Sequence, residues 1–313
     1  MKGQRVAEVD RSRRPEDEAP REFRVRGDGV ELAGYEWAGD GPPLVFAHAT
    51  SFHGRCWDEV IRWLPGHRAI AFDLRGHGRA EVPSLEGGKE AYLWERVAAD
   101  LVVAMQELGV SGAIGIGHSM GGHSVTMAQS LDPRLFAGLL LVDPTITRNM
   151  GMPTGDGDSE REEGGPHMFV ARRRNEWSSV GEMVERFGGR EPHSRWEPAV
   201  LRDYCEYGLL PDPSGDGLRL ACPPLVEAAV YEMGRHDLSE AAAAIDVPVR
   251  ILRAQPRDPS NPAAAMSGSP TAVDLVDWFP NAEDFFLPQY THFIPMEAPR
   301  LVAEHVDALI ARL

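Results

Sequence analysis

Residues 115–122 read Gly-Ile-Gly-His-Ser-Met-Gly-Gly. Ser119 stands between a short apolar run, 113–116, and a segment of helical character, 120–130. A serine with glycine two residues before and two after it, at a strand-to-helix junction, is the pattern of a nucleophile elbow. The turn is so tight that larger side chains at the flanking positions would collide. It leaves the hydroxyl projecting into open space at a helix N-terminus, where free N–H groups and the helix dipole favour a developing oxyanion. A glycine-rich turn with a capping serine has the same pattern, so the rest of the chain must decide between them.

A serine hydroxyl attacks a carbonyl only when a base takes its proton, and the base needs a carboxylate to hold its tautomer. Eleven histidines are available. His118 and His123 flank the elbow but lie on the wrong side of the turn or inside the following helix, and His77 lies in the loop Arg75-Gly76-His77-Gly78. His292, in Gln-Tyr-Thr-His-Phe-Ile-Pro over 289–295, follows the last strand-like run and precedes the closing helix, at the sheet edge of the elbow. For the carboxylate, Asp258 follows the run 249–254 and is favoured; Asp143, which follows the run 136–142, is the alternative.

The elements that must position these groups alternate in type. Segments 23–26 and 30–37, joined by Gly-Asp-Gly, read as a hairpin. Apolar runs at 44–47, 69–72, 113–116, 136–142, 249–254 and 285–287 read as strands, and 93–108, 120–130 and 299–313 as amphipathic helices. Alternating strands and helices imply a mostly parallel sheet covered on both faces, with ligands bound beyond the carboxyl ends of the strands. Between 145 and 245 the texture changes. Residues 151–165 form a Gly- and acid-rich loop, followed by helical patterns with no strands between them. Ser179-Val-Gly-Glu182 fits a capping box, and 199–207 and 223–233 are further helices. Such an insert reads as a lid. Its Arg172, Arg173 and Arg174 read first as a solvated helix face, with an anionic substrate group as the rival reading.

The chain of 313 residues has room for one large α/β domain, with residues 1–20 a polar, disordered lead-in, 21–144 and 246–313 the core, and 145–245 the insert. A net charge of −16 argues against nucleic acid or an anionic membrane as partner. Three widely spaced cysteines form neither a disulfide framework nor a zinc pattern. With no signal-peptide core and no long apolar run, the expectation is a cytoplasmic protein, a monomer or homodimer.

Together these motifs resemble the serine hydrolases of the α/β-hydrolase fold. The resemblance rests on the elbow, on Ala47-His48-Ala49-Thr50, on Asp73-Leu-Arg-Gly-His-Gly78 and on His292-Phe-Ile-Pro-Met-Glu-Ala-Pro299. It covers about 29–313 outside the insert, which is similar to the family's cap in position and helicity alone. It implies the order Ser119, Asp258, His292 for nucleophile, acid and base. It further implies an oxyanion hole from the N–H groups of Thr50 and Met120, although Ala49 replaces the family's usual glycine and leaves Ser51 as a second candidate. The implied chemistry is cleavage of a small-molecule ester or lactone through an acyl-enzyme, with no cofactor and no metal. Carbon–carbon bond hydrolysis, acyl transfer, perhydrolysis and a non-catalytic receptor role are the rivals.

Overall fold

The computed structural model describes residues 19–147, 168–234, 237–257 and 267–313. Its strands are β1 (Arg21–Arg26), β2 (Glu31–Trp37), β3 (Gly41–Ala47), β4 (His67–Asp73), β5 (Ala113–His118), β6 (Phe136–Val142), β7 (Glu176–Trp177), β8 (Leu209–Pro211), β9 (Leu218–Leu220), β10 (Val249–Ala254) and β11 (Ala282–Leu287). Eight of them form one sheet in the order β1-β2-β4-β3-β5-β6-β10-β11. The first two pairings, β1 with β2 and β2 with β4, are antiparallel, and the rest are parallel. The expected hairpin is therefore present, and the apolar runs are the strands of a parallel sheet.

Side chains along these strands divide between the two faces with the period of two that a pleat imposes. Val45, Ala47, Leu139, Leu141 and Ile251 belong to one apolar cluster. Leu44, Phe46, Leu140, Val142 and Leu252 belong to the other. The helices are α1 (Asp58–Ile61), α2 (Trp94–Glu107), α3 (Met120–Leu131), α4 (Met168–Ala171), α5 (Val180–Gly188), α6 (Pro198–Tyr207), α7 (Pro224–Glu232), α8 (Ser239–Ala243), α9 (Ile294–Glu297) and α10 (Pro299–Ile310). α2, α3 and α8 supply Val97, Leu101, Val125 and Ala242 to the first cluster. α1 and α10 supply Val60, Ile61, Val302 and Val306 to the second. With both faces covered, the carboxyl edge of the sheet is where a ligand can reach the backbone.

The segment between β6 and β10 is not purely helical, as its pattern suggested. β7, β9 and β8 form a separate antiparallel sheet beside α4 to α8. Strands of two or three residues are too short to show any alternation, which is why the pattern misses them. The capping box is half as expected. The Ser179 hydroxyl accepts from the Glu182 N–H, but the Glu182 carboxylate reaches the N–H of Ser178. A third apolar cluster joins Trp177, Met183, Trp196 and Tyr204 of this segment to Ala49, Phe52 and Phe293, from loops at the sheet's carboxyl edge. The expected loop 151–165 and nearly all of the lead-in 1–20 lie outside the described residues.

One contact between the inserted segment and the core is electrostatically unfavourable. Asp203 of α6 is half-buried near Asp58 and Glu59 of α1, and its Oδ2 has no hydrogen-bond partner among the described residues. Burial first, then the charges of Asp58 and Glu59, raise its carboxyl to about 7, with Arg62 and Arg55 opposing. A carboxyl raised in the folded state binds its proton more tightly there than in the unfolded chain. Stability therefore falls as pH rises from the ordinary carboxylate range towards 7, and the full penalty applies above it. Asp203→Asn, which cannot ionise, is expected to melt higher than the wild type at pH 8. That advantage should shrink at pH 5, as followed by calorimetric melting temperature at both pH values.

Candidate active site

The elbow is held by contacts that only glycine permits. A Cβ on Gly117 would lie 2.4 Å from the Gly121 carbonyl oxygen, and one on Gly121 would lie 2.1 Å from that of Ala47. The start of α3 is thus pressed against the ends of β5 and β3. Ser119, between them, has φ 56° and ψ −116°, a conformation costly for any residue with a side chain and sustained by its surroundings. Its N–H donates to the Val142 carbonyl at 3.2 Å and its carbonyl accepts from Thr145 N–H at 3.1 Å.

His292 lies between β11 and α9, with its N–H bonded to the Ser267 carbonyl at 2.7 Å. Its Nε2 is 3.0 Å from Ser119 Oγ and its Nδ1 is 2.6 Å from Asp143 Oδ2. The carboxylate that meets His292 is therefore Asp143, the alternative acid; the favoured Asp258 lies outside the described residues. The reason is topological. β6 lies between β5 and β10, so a side chain at its carboxyl end sits directly beside the elbow. Asp143 is fully buried, and its Oδ1 accepts from Ala254 N–H at 2.9 Å and from the Ser269 hydroxyl at 2.6 Å. The carboxylate is thereby oriented from the side opposite the imidazole.

His118 and His48 act on backbone. His118 donates from Nε2 to the carbonyl of His292 at 2.8 Å, and burial, followed by its neighbour His292, pushes it well below the usual imidazole range. It is a neutral brace for the loop that carries His292, a role its place beside the elbow did not suggest. His48 is likewise kept neutral by burial. Its Nδ1–H donates to the Ala49 carbonyl at 2.7 Å while Nε2 accepts from Leu74 N–H at 3.0 Å, which ties the loop after β3 to the end of β4. The motif Asp73-Leu-Arg-Gly-His-Gly78 is a brace too. Asp73 accepts from Gly54 N–H, Tyr35 and Arg79 N–H, and buried Arg75 forms a two-point pair with Asp100.

Thr50, Ser119 and His292 open onto one cavity of about 260 Å³. The Thr50 hydroxyl points at Met120 Sδ, 3.4 Å away, so the two residues expected at the oxyanion hole are in contact. Ser51 has φ 76° and its hydroxyl donates to Glu227, away from Ser119. The cavity walls are aromatic. Phe52 packs against Trp196 and Tyr204 with ring centres 5.7 and 5.1 Å apart, and His193 stacks on Phe187 at 4.5 Å. The three arginines of the inserted segment diverge. Arg172 is exposed, Arg174 pairs with Glu182 and lies over Trp177, and Arg173 turns into the cavity and pairs with buried Glu227. Only Arg172 and Arg174 fit the solvated-face reading. No group of three or more metal-ligating side chains occurs among the described residues, and no helix there is long and apolar enough to cross a membrane.

A model of the alpha/beta hydrolase family matches residues 44–305. The chain belongs to the alpha/beta hydrolase family. It is 33% identical over 135 residues to a non-heme chloroperoxidase of Streptomyces lividans, covering 41% of this chain and 47% of that protein. It is 24% identical over 237 residues to a bifunctional esterase/perhydrolase of Acinetobacter calcoaceticus, covering 73% and 79%. In its matches to the chloroperoxidase and to a Rhodococcus erythropolis haloperoxidase, the chain spans about half the length of the relative. Among solved structures it shares its hydrolase fold with an E-2-(acetamidomethylene)succinate hydrolase, at TM-score 0.73 and 20% identity over 93% of this chain and 99% of that one. An esterase from Thermogutta terrifontis aligns at TM-score 0.66 and 21% identity, over 93% and 98%.

Two outcomes follow for this hydrolase-fold site. Gly121→Ala forces a methyl group into backbone and is expected to cost on the order of 3 kcal/mol, read as a lowered denaturation midpoint. Asp143→Asn is expected to lower turnover by about 10⁴-fold by removing the carboxylate that fixes the imidazole tautomer. Asp258→Asn, assayed beside it, should stay near the wild type; a reversed pair of results would return the role to Asp258.

Proposed function

We propose that the protein is a serine hydrolase that cleaves small carboxylic esters through an acyl-enzyme. The observation that carries this reading is the hydrogen-bonded series Ser119 Oγ, His292 Nε2, His292 Nδ1 and Asp143 Oδ2, at 3.0 and 2.6 Å. Nδ1–H donates to the Asp143 carboxylate, so Nε2 of the neutral ring is the acceptor. It takes the Ser119 proton as Oγ attacks the ester carbonyl. The N–H groups of Thr50 and Met120 hold the oxyanion, and loss of one such donor lowers turnover by on the order of 100-fold. The imidazolium then protonates the departing alcohol. Water, deprotonated by His292, attacks the acyl-enzyme, and Ser119 leaves with its proton restored.

Residues 145–245 act in this reading as a cap whose aromatic side chains exclude water from the acyl group. Lactone opening uses the same steps. Perhydrolysis is a second reading, because one relative is named an esterase/perhydrolase. Hydrogen peroxide would then replace water on the acyl-enzyme and release a peracid.

A chain-length series of p-nitrophenyl esters tests the proposal. The wild type is expected to turn over the shorter members, and Ser119→Ala to lose at least about 10³-fold. Peracid release on adding hydrogen peroxide separates the second reading. Absence of turnover in the wild type on every ester would contradict the assignment.

A further inference from the structure

Thr145 stands two residues after Asp143 on the turn that leaves β6, and its Oγ1 lies 3.0 Å from Ser119 Oγ. Its backbone N–H also donates to the Ser119 carbonyl at 3.1 Å. The turn is fastened beyond it. The Thr271 hydroxyl donates to the Pro144 carbonyl at 2.7 Å, the Ile146 carbonyl accepts from Ala272 N–H at 2.9 Å, and the Ile146 side chain is buried. Thr145 is thus held against the elbow at both its backbone and its side chain.

Proton counting fixes the direction of the hydroxyl contact. The one N–H of the neutral imidazole faces Asp143, so Ser119 directs its only proton to Nε2. Its oxygen can then only accept from Thr145. We infer that Thr145 is a further catalytic residue, a hydroxyl donor to the Ser119 oxygen in both halves of the ester reaction. This inference rests on the proposed role of Ser119.

The electron bookkeeping is consistent with two donors to one oxygen. Ser119 Oγ has two lone pairs. In acylation one accepts from Thr145 and the other forms the bond to the ester carbon as the proton moves to Nε2. The Thr145 hydroxyl stabilises the partial charge on Oγ while that bond is incomplete, and leaves one lone pair free to attack. In deacylation the C–Oγ bond of the tetrahedral intermediate breaks and its electron pair returns to Oγ. One lone pair then receives the proton from Nε2 and the other the hydrogen bond from Thr145. The turn after β6 therefore serves both partners of the reaction, with a carboxylate on the base and a hydroxyl on the nucleophile.

Stopped-flow measurement of a p-nitrophenyl ester separates the burst from the steady state. A hydrogen bond to a developing charge corresponds to about 10- to 100-fold in rate. Thr145→Val, which keeps the shape, is expected to slow both phases by at least about 10-fold, with KM corrected for the slower deacylation unchanged. Thr145→Ser, which restores the hydroxyl, should recover most of the loss. The rate of Ser119 phosphorylation by diethyl p-nitrophenyl phosphate, which transfers its diethylphosphoryl group and releases p-nitrophenolate, followed by mass spectrometry, should fall in parallel. If Thr145→Val does not fold, Thr145→Ala and Thr145→Ser carry the same contrast. Rates within about twofold of the wild type in the variant without the hydroxyl, or equal loss in Val and Ser variants, would overturn the inference. Phosphorylation without turnover of any ester would instead overturn the ester reading, and the Thr145 contrast would still be read from the labelling rates.

Discussion

A neutral imidazole has one proton to give and one lone pair to offer, and this site is arranged around which nitrogen holds which. The buried carboxylate of Asp143 accepts the hydrogen bond from Nδ1–H of His292 at 2.6 Å and so leaves Nε2 as the acceptor facing Ser119. The carboxylate itself is oriented by Ala254 N–H and Ser269 from its far side. The arrangement requires three loops from β5, β6 and β11 to end at one edge of the sheet, and parallel pairing across β5-β6-β10-β11 brings them there. The close approach of Gly121 to the Ala47 carbonyl then sets the angle at which α3 leaves and Ser119 projects.

Around this centre most of the chemistry of the sequence motifs is bracing. His48 and His118 are kept neutral by burial, so each offers a fixed donor to a backbone carbonyl, and neither competes with His292 as base. Arg75 and Asp100 lock the loop after β4. The inserted segment reaches the same loops through an aromatic cluster and through Glu227, which accepts from both Ser51 and Arg173. A contact of that kind couples the seating of the segment to the loop that carries Thr50.

What was legible in the sequence follows the range of the signal. The elbow is local, because glycine at 117 and 121 is a steric necessity of the turn, and the strands before and after it are long enough to show as apolar runs. His292 was legible through its place between the last strand and the closing helix. The carboxylate was not, because strand-then-aspartate occurs after both β6 and β10, and only the spatial order of strands shows which is beside the elbow. Thr145 had no signal of its own. It is an ordinary residue in a turn, and its meaning comes from Ser119, 26 positions earlier. The strands β7, β8 and β9 were too short for any periodicity. The arginine run hid a division, since only the fold shows that Arg173 turns inward while its neighbours do not.

The central claim is that the Nδ1 proton of His292 is held by Asp143. Low-field proton NMR reads that hydrogen directly, as a resonance far downfield of the amide envelope, assigned by its loss in His292→Ala. The expected result is a resonance that survives in Asp258→Asn and disappears or moves strongly upfield in Asp143→Asn. Its persistence in Asp143→Asn together with its loss in Asp258→Asn would contradict the account.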